Sequence, residues 1–151
     1  IMTDKQMWNE YTKANPKADK YDAWCFGGTT PDMPNILATL VLSGKKTATA
    51  SAYPCYQIEN VKLPPVGGYN IILNIDNEAI CITETTKVYT VPFCDVSEEH
   101  ALKEGEGDLS LKFWRNCHSE IFVNELKEIG MEFTQEMLVV CEEFHVVYPS
   151  R

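Results

Sequence analysis

The sequence predicts an α+β fold: a small mixed or antiparallel β-barrel with helices packed around it. Three observations predict it. The hydrophobic period runs through two helical stretches, then strands, then two more helical stretches, then a last strand. Parallel crossovers joined by helices do not recur, which argues against a doubly wound sheet. The 151 residues, 44% apolar and 23% charged, suit one domain with a real core. The expected organisation is a helical extension over 1–20 and a barrel with inserted helices over 21–148.

The elements follow in order. Residues 3–15 read as a helix with Thr3 or Asp4 as cap and Met7, Trp8 and Tyr11 as its apolar stripe, ended by Asn15-Pro16. Residues 21–28 read as an irregular stretch, with Trp24 and Phe26 before a glycine pair. Ile36, Leu37, Leu40 and Val41 give a helix over 34–43, and Gly44 is its C-terminal cap. From Thr47 the period becomes two, the mark of a strand. Leu63-Pro64-Pro65-Val66-Gly67-Gly68 is a turn, 69–75 a strand, 76–78 a hairpin turn and 79–91 a long strand. Residues 96–104 form a short helix, and Asp108 is expected to cap a longer one over 109–127, with Leu111, Trp114, His118, Ile121, Phe122 and Glu125 on one face. Gly130 closes that helix. Residues 137–148 are the final strand, with Leu138, Val140, Phe144 and Val146 on one side and His145 at the surface.

Charge and cysteine usage narrow the function. A net charge of −9 disfavours tight, salt-driven binding along a nucleic-acid backbone, although Lys45, Lys46, Lys103, Lys112 and Arg115 can still make a local basic pocket. No apolar run approaches the ~20 residues that span a bilayer, and no secretion signal opens the chain, so no membrane partner is expected. The six cysteines form no C-x-x-C pair or zinc-like spacing. They read as reduced thiols of a cytoplasmic protein, and neither metal nor cofactor is expected.

Two segments carry the chemistry. Residues 43–51 read Ser-Gly-Lys-Lys-Thr-Ala-Thr-Ala-Ser. Period two sets Thr47, Thr49 and Ser51 on one face, beside Lys46, and the alanines on the other, a row of hydroxyls near an ammonium. The bland alternative is a β-favouring run after a helix end that attracts lysines. The second segment, Glu104-Gly105-Glu106-Gly107-Asp108, alternates acids with glycines ahead of Trp114, Arg115 and His118. A capped helix explains Asp108; the alternation suggests a shaped loop. Arg115 either pairs with Glu120 or holds a loop carboxylate. His118 is either a packed core histidine or a base. His100 and Glu104, four apart, can share a helix face.

Together these segments resemble the ASCH-domain family, small relatives of the PUA-like barrels, in its longer subgroup. Ala23-Trp24-Cys25-Phe26-Gly27 and the closing Val139-Val140-Cys141-Glu142-Glu143-Phe144 extend the likeness, which runs from about Tyr21 to Tyr148. The resemblance implies a PUA-like barrel of about five or six strands with a cleft. It also implies roles in RNA binding, RNA cleavage or nucleoside chemistry. One compact branch removes the acetyl group of 4-acetylcytidine with a lysine, a threonine three residues on and a distant glutamate. Lys46, Thr49 and Glu104 match these, with Glu106 a rival for the acid. Many members carry an arginine where this chain has Ser51, a gap that Lys45 or Arg115 would fill.

The implied chemistry is amide hydrolysis. Thr49 is the nucleophile, with Lys46 either its base, if burial lowers the pKa, or a charged oxyanion stabiliser. Glu104 positions water or protonates the departing amine. Trp24 stacks on a pyrimidine. Lys45, Thr47, Ser51, Glu106, Asp108, Arg115 and His118 complete the expected substrate contacts. Two other classes remain open: a single-stranded-RNA-binding protein or ribonuclease, and a non-catalytic small-ligand module. The sequence leaves the oligomeric state open.

Overall fold

Thr3 begins the first helix of the computed structural model, which describes residues 1–150. Its hydroxyl accepts from the Gln6 N–H, and the Gln6 side chain accepts from the Thr3 N–H, a capping box over α1 (Asp4–Ala14). Met7, Trp8 and Tyr11 bury against Ile71 and Ile82 of the sheet, as their spacing predicts.

Residues 21–28 are not wholly irregular: Tyr21–Cys25 is a strand, β1. It is an edge strand with three of its five side chains in solvent, so it lacks an alternating apolar pattern, and only its parallel pairing with a distant strand defines it. The helix α2 (Met33–Ser43) ends at Gly44, whose φ of 83° is the left-handed cap that the sequence predicts. β2 (Ala48–Ala52) leads directly into α3 (Tyr53–Glu59), a helix that the sequence reading leaves unassigned. Its seven residues show too little period to read, but Pro54 opens its first turn. β3 (Tyr69–Leu73) and β4 (Ala79–Pro92) form the expected hairpin, turned at Asn77 with φ 60°.

A 3₁₀ turn over Phe93–Asp95 precedes α4 (Glu98–Glu104). The next helix, α5 (Leu111–Glu128), is capped by Ser110 rather than Asp108: the Ser110 hydroxyl accepts from the Phe113 N–H. Positive φ at Gly107 and Leu109 carries the chain two residues further before the helix starts, and Asp108 instead accepts from the Ser110 N–H.

β5 (Leu138–Tyr148) completes a five-stranded sheet in the order β1-β3-β4-β5-β2, parallel only between β1 and β3. Register shifts along β4 bend the central pair, and the sheet curls into a half-barrel. β5 does not alternate as expected. Val139, Val140, Cys141 and Glu142 are all buried and Leu138 is exposed. Val139 and Cys141 pack beneath α5 with Trp114, Phe122 and Leu126, while Phe144 faces the barrel interior with Phe26, Leu37 and Val41. A central strand covered on both faces loses its period-two signal. The edge strands β1 and β2 are left facing each other across a cleft. Among the described residues no helix is long and apolar enough to cross a membrane.

Candidate functional site

Lys46 sits where three backbone anchors meet. The N–H groups of Lys45 and Lys46 both donate to the Leu40 carbonyl, and the Thr47 N–H donates to the Lys103 carbonyl at 2.7 Å. These bonds hold the start of β2 between the last turn of α2 and the end of α4. Gly105 makes that contact feasible: its φ is +70°, and a Cβ there would stand 2.4 Å from the Lys45 carbonyl oxygen. Gly105 of the acidic loop therefore serves close backbone approach, whereas Gly107, at φ +58°, lies against the Phe113 ring.

The Lys46 side chain runs inward until the residue is 2% exposed. Its Nζ donates to Glu104 Oε1 at 2.9 Å and to Glu106 Oε2 at 2.8 Å. Glu104, 1% exposed, is held on its second oxygen by His100 Nε2 at 2.7 Å and by the Trp114 indole N–H. His118 Nε2 lies 3.5 Å from Glu104 Oε1. The other ring nitrogen of His118 is 2.9 Å from the Trp114 carbonyl, which only accepts, so Nδ1 carries a hydrogen. The imidazole stacks on Trp114 with centroids 4.2 Å apart. These residues form one closed box.

The charges in the box support each other. Burial alone would push the Lys46 ammonium down, but Glu104 and Glu106 outweigh it and hold its pKa above the ordinary lysine value. Burial would raise the Glu104 carboxyl, yet Lys46, His118 and His100 hold it well below the usual range. His118 is raised, because Glu104 more than offsets its desolvation. With two carboxylates against it, Lys46 is held in its charged form, the opposite of the depressed pKa that a lysine base needs.

Thr49 is not among the partners of that box. It lies on β2 in the cleft between the edge strands, a space of about 960 Å³. Trp24, Phe26, Ser51, Tyr56, Asn70 and Glu142 also line it. Glu142 is the register partner of Thr49 across β2 and β5. Ser51 Oγ and Tyr56 Oη are 2.8 Å apart. Phe26 is the wall between the two regions: it lines the cleft, meets Trp24 edge-on at 4.7 Å, and has Lys46 Nζ 5.6 Å from its ring centroid.

The structure thus divides the residues singled out by sequence. Lys46, Glu104, Glu106 and His118 converge in the box. Thr49, Ser51 and Trp24 line the cleft. Thr47 turns away from the hydroxyl row, its Oγ1 3.4 Å from the Lys103 carbonyl, because it precedes the regular strand. Lys45 is exposed. Asp108 is exposed and bound to the Ser110 N–H. Arg115 neither pairs with Glu120 nor holds a loop carboxylate; its Nη2 donates to the Cys94 carbonyl at 2.8 Å, drawn there by the turn between β4 and α4. His100 was legible through its spacing from Glu104. Asn70, Tyr56, Thr85 and the buried acid Glu142 were not, since each is an ordinary strand or helix residue until its neighbours are known. Among the described residues no group of three His, Cys, Asp or Glu side chains is arranged to hold a metal ion.

A half-barrel with this lysine motif at the head of an edge strand defines a class, and the comparisons agree. The ASCH domain family model matches residues 22–148, and the chain belongs to that family. The crystal structure of an ASCH domain from Lactobacillus crispatus is similar at 34% identity and a TM-score of 0.89, covering 95% of this chain and 93% of that one. That of the Enterococcus faecalis protein EF3133 is similar at 36% identity and a TM-score of 0.86, covering 95% and 86%. No curated protein matches the sequence.

Proposed function

We propose that the protein hydrolyses the exocyclic amide of a neutral modified nucleoside such as 4-acetylcytidine, bound in the cleft between β1 and β2. The observation that carries this reading is Thr49 in a cleft walled by Trp24, beside its cross-strand neighbour Glu142, a largely buried acid. An aromatic wall with a few convergent polar groups suits a flat, uncharged ring. The net charge of −9 argues against a site that tracks an RNA backbone.

In this mechanism Thr49 Oγ adds to the acyl carbon and its proton goes to the departing amine. The nucleoside leaves as the free amine, and the acyl group remains as an ester on Thr49. Water then cleaves that ester, releasing the carboxylic acid and restoring the hydroxyl. Lys46 acts as a fixed positive charge behind Phe26, and Glu104 and Glu106 position it. Both carboxylates are engaged by the one ammonium, and the reaction proposed is metal-independent.

A second reading, binding without turnover, is favoured by the closure of the Lys46 box behind Phe26. The test is deacetylation of 4-acetylcytidine by purified protein with chelator present. Turnover that is lost in Thr49→Ala and partly kept in Thr49→Ser supports hydrolysis. Turnover by Thr49→Ala equal to that of the unaltered protein refutes the assignment of Thr49. Saturable binding without turnover selects the second reading.

A further inference from the structure

The cleft contains a chain of hydrogen bonds that runs in one direction only. The Trp24 indole N–H donates to Asn70 Oδ1 at 2.9 Å. An indole cannot accept, so the Asn70 amide is fixed with its oxygen toward Trp24 and its nitrogen away. Asn70 Nδ2 then donates to Thr85 Oγ1 at 3.3 Å. Thr85, accepting there, turns its own hydrogen to Glu142 Oε2 at 2.6 Å. Four residues on four strands (β1, β3, β4 and β5) make this relay, and it ends on a carboxyl that is 7% exposed.

The direction has a chemical consequence. Glu142 Oε2 is committed as an acceptor whatever the protonation of the acid. No described residue bonds to Oε1, so Oε1 is the atom that Glu142 presents to the cleft it lines. An oxygen without a protein partner, on a largely buried residue that lines a cleft, is placed to take a donor from a ligand.

We propose that Glu142 is a specificity residue, whose Oε1 accepts a hydrogen bond from the exocyclic N–H of a cytosine-type base held against Trp24. Carboxylates pair in this way with the amine of cytosine, whereas a ring with a carbonyl at that position sets oxygen against oxygen. An acylated exocyclic nitrogen keeps one N–H, so an amide substrate can make the same bond. Its acyl carbon then lies on the side of Thr49, opposite Glu142 in the register. The inference rests on the nucleoside reading above and names the part of the base that is read.

The relay makes Glu142→Gln more than a loss of charge. Thr85 donates its hydrogen to no other described residue, so it orients the glutamine with oxygen toward Thr85 and its NH₂ toward the cleft. The variant therefore presents a donor where the native residue presents an acceptor.

The experiment is calorimetric titration with cytidine, uridine and N4,N4-dimethylcytidine. The unaltered protein is expected to prefer cytidine over both others by about tenfold or more. Glu142→Gln is expected to reverse the order and favour uridine. Adding Thr85→Val frees the glutamine to turn, and part of the cytidine preference returns. Retention of the native cytidine-to-uridine ratio by Glu142→Gln overturns the role of Glu142 while leaving the nucleoside reading intact, and uridine binding shows that the variant is folded. Failure of the unaltered protein to bind any of the three overturns the nucleoside reading, and this inference with it.

Discussion

Lys46→Met is the perturbation that tests the buried box. Methionine keeps the unbranched stem, so packing against Phe26 persists while the ammonium is removed. Glu104 is then left 1% exposed without its nearest counter-charge. Breaking a buried ion pair from one side costs about 3–5 kcal/mol. The lower end applies, about 3 kcal/mol, because His100, Trp114 and His118 still serve Glu104 and the Glu106 side chain, 12% exposed, can turn to water. For a chain of this size that corresponds to a melting temperature lower by about 6–12 °C. The assay is thermal and urea unfolding followed by circular dichroism at pH 7 and near pH 4. The pH dependence is specific. In the unaltered protein Glu104 is held low, so its contribution is present above its unfolded pKa of about 4.3 and is lost as pH falls further. Without Lys46 the carboxyl takes up a proton more readily, and a neutral acid leaves no buried charge. The stability difference between the two proteins therefore narrows as pH falls. Lys46→Met/Glu104→Gln should be more stable than Lys46→Met alone. A difference below about 1 kcal/mol at pH 7, or one that does not change with pH, refutes the reasoning, because exposed pairs behave in that way.

The other predictions concern the loop and the histidine. Gly105→Ala should cost about 2 kcal/mol or more in urea unfolding, since it combines positive φ with a backbone clash. Gly130→Ala, at φ +73° with open space around it, should cost only about 1 kcal/mol; equal costs would show that the approach to Lys45 is unimportant. His118 has a native pKa above its unfolded value, so its contribution is full below about pH 6.5 and fades as pH rises through the native pKa. His118→Gln should thus lose more stability at pH 6 than at pH 9, and NMR titration of the His118 ring should give a midpoint above that of the unfolded chain. A midpoint at or below the ordinary histidine value would show that Glu104 does not hold the ring charged.

Much of the architecture was legible because its causes are local. Thr3 with Gln6, Gly44 and Asn77 carry their own backbone signals, and the helices and hairpin strands they bound form within a residue or two of expectation. The failures are equally physical. β1 is an edge strand half in water and shows no alternation; β5 is the strand expected over 137–148, but cover on both faces breaks the expected parity, with Leu138 exposed and both Val139 and Val140 buried. Ser110 displaced Asp108 as cap because two positive-φ residues lengthen the loop, and Leu109 gives no sign of that in its side chain. Arg115 was drawn to the Cys94 carbonyl by a turn that folds 21 residues away in the chain.

By itself the sequence determined the α+β class, the family and the segments that carry polar chemistry, since periodicity, caps and motif order are properties of neighbouring residues. Only the tertiary structure decided which of those polar groups share an environment. It joined Lys46 to acids 58 and 60 residues later and buried it with the first of them, Glu104. It left Thr49, three residues from Lys46, in a different space facing Glu142. Period tells which face a side chain takes, but not what covers that face. Burial, counter-charge and the direction of a hydrogen bond are set by the covering elements, and here those come from strands and helices far apart in the chain.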